Sequence, residues 1–300
     1  PDGNLTISRS PLKDSDFESY AKFLLTTGQA ELNATSNEVQ LPPATVPSGD
    51  FVFTSAGKTG KDGPTSAEVN ASYIGTPLEG NVTMTTQGIQ EWTVPTTGNY
   101  RIEAMGAKGG GTHGGKGAKM SGTFSLSANS VLKILVGQAG TALTSGRTDY
   151  SGGGGTFVIK TPYDSSAGIL VIAGGGGGAH VNGSASQGSV STSGGNGAGG
   201  HQNGSGGTNG NGGNKDNQTT DGGAGFLTNG QSGNPDPSPQ SFTNGGEGGS
   251  NSWSSAASAE GGFGGGGGTN RNSSSYFGTG GGGGYSGGGS SYGRSSYPPL

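Results

Sequence analysis

The stretch GIQEWTVPTTGNYRIEAMGAKGG, residues 88–110, carries the clearest fold signal in the sequence. It contains two candidate strands, IQEWTV from Ile89 and YRIEAMG from Tyr100, separated by a Pro-Thr-Thr-Gly turn. Apolar and polar residues alternate in the second segment, a pattern typical of a β-strand that buries one face. The stretch therefore predicts two successive strands, with Trp92 filling a core beside them.

Similar strand patterns lie on both sides of this stretch. They are FVFTS from Phe51, KMSGTFSL from Lys119, VLKILVG from Val131, TFVIKT from Thr156 and ILVIAG from Ile169. The run LVIA is continuously apolar, which is typical of a strand buried on both faces. Strands in quick succession between Gly, Pro, Asn and Ser turns predict a mainly β fold, an antiparallel jelly-roll sandwich over residues 50–173.

The composition changes at Gly174, and residues 174–300 form a second, glycine-rich region. Of the 300 residues, 70 are glycine and only 27% are hydrophobic, so this region has few side chains to bury. Its glycines come in runs without a Gly-X-Y period, which argues against collagen. A glycine run can cohere only through its backbone N–H and C=O groups, which need partners wherever water is excluded.

We therefore predict that the glycine runs form polyproline-II-like helices that stack as a rigid plate on the sandwich. The runs start at Gly152, Gly174, Gly264 and Gly280. The predicted scaffold residues are Gly174, Gly175, Gly176, Gly177, Gly178, Gly264, Gly265, Gly266, Gly267 and Gly268. Disorder is the alternative, because ordering glycine costs much conformational entropy. The neighbouring aromatics Phe263 and Tyr285 favour order, since a flexible linker needs no such anchors.

The N-terminal residues 1–12, PDGNLTISRSPL, predict a short strand without an evident partner. Leu5 and Ile7 alternate with polar residues, and Asp2-Gly3 and Pro11 bracket the pattern. Residues 13–49 predict a short amphipathic helix over 14–26, followed by a proline-rich extended spacer.

Charge and cysteine content narrow the function classes. The net charge is −4 and the Lys and Arg residues are scattered, which argues against a nucleic-acid partner. No apolar run approaches the roughly 20 residues of a membrane-spanning helix. The absence of cysteine excludes disulfides, thiolate metal sites and cysteine nucleophiles.

The polar residues do not form a recognisable catalytic or metal-binding set. The histidines His113, His180 and His201 lie among glycines without acidic partners at ligand spacing, so we assign them no role. The segment AGKTGKDG at residue 56 resembles the tail of a phosphate loop, but we predict a hairpin loop with no helix after it. We interpret the carboxylates as residues of polar loops, without the apolar setting of a general acid; they are Asp216, Asp221 and Glu247. The sequence thus predicts a protein that is not an enzyme and binds no cofactor.

Asn-X-Ser/Thr sequons point to a secretory route. They occur at Asn4, Asn33, Asn70, Asn81, Asn182, Asn203, Asn217 and Asn272. Such sequons are N-glycan acceptors in secreted proteins, and the chain begins at Pro1 without a hydrophobic leader, as in a processed chain or a fragment. We therefore expect an extracellular location, secreted or at the cell surface, and glycans as partners.

Several motifs resemble, in order, the glycine-rich extracellular domain of the anaplastic lymphoma kinase and leukocyte tyrosine kinase receptors. They cover about residues 50–290 and include GIQEWTVPTTGNYRIEAMGAKGG, ILVIAGGGGGA and GGGGGYSGGG. The resemblance implies a tumour-necrosis-factor-like jelly roll that carries a bundle of glycine helices. Two features depart from the family: this chain has no cysteine, and the family's closing Asp-Gly strand after the last glycine run has its counterpart here at residues 2–8.

The displaced strand leads to the functional hypothesis. A sandwich that lacks its closing strand exposes unpaired edges, and a strand from another copy can repair it. Leu5, Thr6, Ile7 and Ser8 would then be the assembly strand of a head-to-tail filament with the protein itself as partner, and tandem repeats of one chain would give a similar fibre. The alternatives are a ligand-binding ectodomain whose strand folds back in the same chain, and a phage-type adhesin.

Overall fold

The computed structural model describes residues 3–9, 31–32, 39–40, 50–142, 150–179, 185–198, 202–216, 220–233, 237–250, 258–270 and 276–294. The predicted helix over 14–26 lies outside them. Most of the regular secondary structure of the described residues is strand. The strands are β1 Asn4–Arg9, β2 Glu31–Leu32, β3 Val39–Gln40, β4 Phe51–Phe53, β5 Val82–Thr86, β6 Ile89–Thr93, β7 Gly98–Met105, β8 Lys119–Leu126, β9 Val131–Leu135, β10 Thr156–Ile159, β11 Ile169–Ala173, β12 Gln202–Asn203, β13 Ser258–Ala259, β14 Thr269–Asn270, β15 Tyr276–Thr279 and β16 Ser291–Arg294. One α-helix, α1, spans Ser66–Ser72 in this part of the chain.

Two antiparallel sheets form a β-sandwich, which confirms the predicted fold class. The four-stranded sheet has the order β4-β1-β7-β8, and the five-stranded sheet has the order β11-β10-β9-β6-β5. The alternation predicted for β7 places Tyr100, Ile102 and Ala104 in the core at 0% exposure. Trp92 is 1% exposed and lies among Phe51, Phe53 and Tyr100, so its predicted core position is also confirmed.

The loop after β4 differs from the prediction. We predicted a hairpin loop at residue 56 with no helix after it, but α1 follows at Ser66. The Thr65 side chain accepts a hydrogen bond from the Glu68 backbone N–H, and the Glu68 carboxylate accepts one from the Thr65 N–H. This capping box stabilises the helix start, and the Thr-x-x-Glu spacing was a sequence signal that the prediction missed. Strand β5, next to β6, was also missed.

The strand buried on both faces is β10 rather than β11, contrary to prediction. Every residue of β10 is buried, while β11 is an end strand with Ile169, Leu170 and Ile172 half-buried. A second cluster explains the burial of β10, because Phe157 and Ile159 on its outer face pack with aromatic residues of the glycine-rich region. Phe242 stacks between Phe157 and Phe226, with ring centroids 5.3 and 5.5 Å away.

Two short strands lie within the residues predicted to form the extended spacer. Strands β2 and β3 pair antiparallel, with Glu31 opposite Gln40 and Leu32 opposite Val39. Residues 31–32 therefore lie beside residues 39–40. Three-stranded and two-stranded sheets, β12-β16-β15 and β13-β14, add short pairings within the glycine-rich region.

Candidate functional site: the seat of the N-terminal strand and the glycine layer

The N-terminal strand β1 lies inside the four-stranded sheet of its own chain. It pairs antiparallel with β4 on one side and with β7 on the other, so that Leu5 lies opposite Phe53 and Ala104. We call the space between β4 and β7 that β1 fills the strand seat. Removing β1 would leave both neighbouring strands with an unpaired edge in the middle of a sheet.

The side chains of β1 divide between the core and the outer face of the sheet. Leu5 and Ile7 are both 0% exposed and belong to the same apolar cluster as Trp92. Burying two such side chains contributes roughly 3–6 kcal/mol. Thr6 and Ser8 point to the other face and are half-buried. Strand β1 thus supplies apolar side chains to the core and also completes the backbone pairing of the sheet.

The outer face of the seat carries a small charge cluster. Glu103, opposite Thr6, accepts hydrogen bonds from Lys119 at 2.7 Å and Arg101 at 2.9 Å. The ammonium of Lys119 and then the guanidinium of Arg101 hold the pKa of the Glu103 carboxyl below its usual range. The pair with Lys119 joins β7 to β8, whereas the pair with Arg101 lies within β7.

The glycine runs hydrogen-bond to one another, and the pattern repeats every third residue. In the run from Gly174, Gly175 and Gly178 both donate to the run at 280–284. The two residues between them donate elsewhere, Gly176 to Ala107 at 2.9 Å and Gly177 to Ser186 at 2.8 Å. A β-strand directs its groups to alternate sides with a period of two, whereas a polyproline-II helix has three residues per turn. The period of three therefore indicates a polyglycine helix.

The same period recurs in two other runs. Gly152 and Gly155 both donate to residues 264–268, and Gly280 and Gly283 both donate to residues 150–153. The run from Gly264 is less regular than predicted, because Gly264 and Gly265 adopt φ angles of 99° and 80° and form a turn before the extended part. We call the packed runs the glycine layer.

Close approach of backbones explains why these positions are glycine. A Cβ added to Gly176 would lie 1.9 Å from the carbonyl oxygen of Gly115, and one added to Gly178 would lie 1.9 Å from that of Tyr150. Real Cβ atoms do not approach backbone oxygen so closely. The layer therefore depends on the absence of side chains, as the collagen axis does.

Two carboxylates that we predicted to lie in polar loops are buried in the glycine layer. Asp216 and Asp221 are each 1% exposed. Asp221 accepts hydrogen bonds from the Ser232 hydroxyl at 3.1 Å, the Gly233 N–H at 2.8 Å and the Gly268 N–H at 3.2 Å. The prediction was wrong because packed glycine runs exclude water without apolar side chains, so local composition did not reveal burial.

Burial changes the acidity of Asp221. Desolvation outweighs the three hydrogen bonds, and together with the nearby charge of Asp216 it raises the pKa of Asp221 to about 7. The Thr220 hydroxyl donates to Asp216. These side chains tie segments of the layer together where side-chain packing is lacking.

The predicted glycosylation sites occupy different environments. Asn70 and Asn81 are exposed on α1 and in the loop before β5, and Asn203 is exposed on β12. Asn4 is half-buried in β1, and its side-chain oxygen is buried without a hydrogen-bond partner among the described residues. Asn33, Asn182, Asn217 and Asn272 lie outside the described residues.

The residues considered for metal binding do not come together in the described part of the chain. His113 is exposed, whereas His180 and His201 lie outside that part. The described residues contain no group of three or more His, Cys, Asp or Glu side chains that could hold a metal ion.

A groove of about 420 Å³ lies between the sandwich and the glycine layer. Its sandwich side is lined by Met120 and Phe124 of β8 and by Leu170 and Ile172 of β11, which are end strands of the two sheets. The described side chains that line it are all uncharged. Its size falls in the range of small-molecule sites.

The comparisons with known proteins agree with the resemblance in part. No family model matches the chain. The chain is similar to the leukocyte tyrosine kinase receptor of Mus musculus, with 33% identity over 134 residues that cover 39% of this chain. The match covers only 14% of the receptor's length. It supports a relationship to a receptor extracellular domain, and none of the described helices is long and apolar enough to cross a membrane.

Proposed function

We propose that the protein is a structural subunit of an extracellular filament, in which β1 of one copy fills the strand seat of the next. The chain with β1 in its own seat is then the unassembled form of the same contact, as in domain swapping. The other partner we propose is glycan, attached at exposed sequons such as Asn70 and Asn81.

The observation that supports this proposal is the connection between β1 and β4. These strands are antiparallel neighbours, which a turn of two residues can join. Here residues 10–50 intervene, far more than folding back requires. Even when residues 31–40 are not counted, about thirty residues remain, and a fully extended chain of that length spans roughly 100 Å. A tether of this length allows β1 to reach another copy.

Disulfide trapping tests where β1 resides, because the natural chain has no cysteine to interfere. Thr6 and Glu103 are directly opposite in the β1-β7 register. One copy with Thr6→Cys and another with Glu103→Cys are mixed, unfolded, refolded and oxidised. Strand exchange predicts a disulfide-linked dimer, whereas Thr6→Cys with Thr123→Cys should give none, since β8 does not neighbour β1.

A chain carrying both Thr6→Cys and Glu103→Cys closes an internal disulfide when β1 stays in its own seat. If that internal bond forms and the mixed copies never link, filament assembly through β1 is wrong.

A cell-surface ligand-binding ectodomain is the second candidate. The uncharged groove and the partial similarity to a receptor favour it. A monomer at every concentration in light scattering, with β1 in its own seat, would favour this candidate over the filament.

A further inference from the structure

The residue that precedes β1, Gly3, is enclosed where the two sheets meet. Gly3 is buried and donates its N–H to the Gly137 carbonyl, 2.7 Å away, in the loop that follows β9. A Cβ on Gly3 would lie 2.6 Å from Thr156 Oγ1, 2.7 Å from the Met105 carbonyl oxygen and 2.8 Å from that of Gly137. No side chain fits among these three atoms, which we call the collar.

The collar atoms hold one another in place. Thr156, 0% exposed, donates its hydroxyl hydrogen to the Met105 carbonyl at 2.7 Å and accepts a hydrogen bond from the Gly137 N–H at 3.0 Å. Met105 ends β7 and Thr156 begins β10, so the collar connects the two sheets. The three collar atoms cannot move apart without breaking buried hydrogen bonds, and leaving such groups unpaired is costly in free energy.

The collar fixes the register of β1, which the alternation of apolar and polar residues alone leaves open. A slip of one residue would turn Leu5 and Ile7 to the outer face, so alternation already forbids it. A slip of two residues keeps apolar and polar faces correct and is not forbidden by alternation. Such a slip would bring either Leu5 or Pro1 into the collar, where only a residue without a side chain fits.

We propose that Gly3 determines both the register and the peptide specificity of the strand seat. The seat is then a binding site for extended peptides that carry two apolar residues in alternation, with a glycine two residues before the first of them. In this chain the pattern is Gly3, Leu5 and Ile7. The claim that a second copy supplies the strand rests on the filament proposed above. The requirement for glycine holds whether the strand comes from the same chain or from another.

Peptide capture tests the proposal with the full chain. The chain is unfolded and refolded with an excess of a fluorescent peptide of residues 1–12, and the bound fluorescence is measured by size-exclusion chromatography. Three peptides are compared: the natural one, Gly3→Ala and Thr6→Ala. Thr6 lies on the outer face, so its peptide controls for a single alanine change. We expect the natural and Thr6→Ala peptides to bind, and Gly3→Ala to bind roughly tenfold more weakly or worse.

Equal capture of the Gly3→Ala and Thr6→Ala peptides would overturn the glycine requirement while leaving strand exchange intact. If no peptide is captured, strand exchange fails, and the same substitutions in the full chain test Gly3 by thermal unfolding. Gly3→Ala should then lower Tm by several degrees more than Thr6→Ala. Equal Tm values would overturn the proposal.

Discussion

The sandwich and the glycine layer are both dry, but they are held together by opposite means. In the sandwich, large side chains such as Trp92, Tyr100 and Ile102 fill the space between two sheets. In the glycine layer, backbones approach until only hydrogen-bonding groups separate them, as Gly176 and Ala107 do. The sandwich depends on side-chain volume, whereas the glycine layer depends on its absence. Removing volume should therefore destabilise the sandwich, and adding volume should destabilise the glycine layer.

The first and largest test places a charge in the sandwich core. Ile7→Asp buries a carboxylate at a position that is 0% exposed, which should cost several kcal/mol and displace β1 from its seat. Ser8→Asp is the matched control, because Ser8 is half-buried on the outer face opposite Arg101. Urea unfolding should show a large loss of stability for Ile7→Asp and little loss for Ser8→Asp. Similar midpoints would mean that β1 does not occupy the core.

The second test adds volume where the layer excludes it. Gly176→Val pushes a side chain into the Gly115 carbonyl and should cost about 1–3 kcal/mol or more. Gly195→Val is the control, since a Cβ at Gly195 meets nothing within 4 Å and its φ is not left-handed. Thermal unfolding compares the two. If both melt like the parent, the layer is not a close-packed scaffold.

The third test uses the buried carboxylate of the layer. Because the folded-state pKa of Asp221 is raised to about 7 from its usual 3.8, the folded state holds the proton more tightly. The resulting stability is complete below about pH 4 and is lost as pH rises to about 7, by a few kcal/mol. Asp221→Asn should remove this part of the pH dependence. The difference in unfolding free energy between parent and variant, measured from pH 4 to 8, should therefore change with pH; a constant difference would contradict it.

The smallest effect is expected on the sandwich surface. Glu103→Gln removes the exposed ion pairs with Arg101 and Lys119, and such pairs contribute little to stability. Chemical denaturation in low and high salt should give nearly the same midpoint as the parent. A large loss would mean that surface charges, and not the core alone, hold β7 to β8.

Sequence reasoning was most successful where side chains carry the fold. The alternation in β7 and the placement of Trp92 followed from residue pattern alone, because a sandwich core selects residues by polarity. Helix α1 was missed although Thr65 and Glu68 carry its capping signal. The double burial of β10 could not be predicted, because it depends on Phe242 and Phe226, which are distant in sequence.

The glycine layer was predictable only in outline. Runs of glycine indicated backbone packing, but nothing in the order of residues specified which run bonds to which. The burial of Asp221 and the collar around Gly3 depend on those long-range choices. Buried polar groups in such a region are visible only once the chain is folded.

The three-residue period of the glycine layer has a mechanical consequence. Strands in a β-sheet bond to neighbours in one plane, so a sheet resists tension within that plane and bends across it. A polyglycine helix bonds around its whole circumference, as the run from Gly174 does with three different segments. Shear across its axis is therefore opposed by hydrogen bonds in several directions, and the layer should behave as a stiff solid under load.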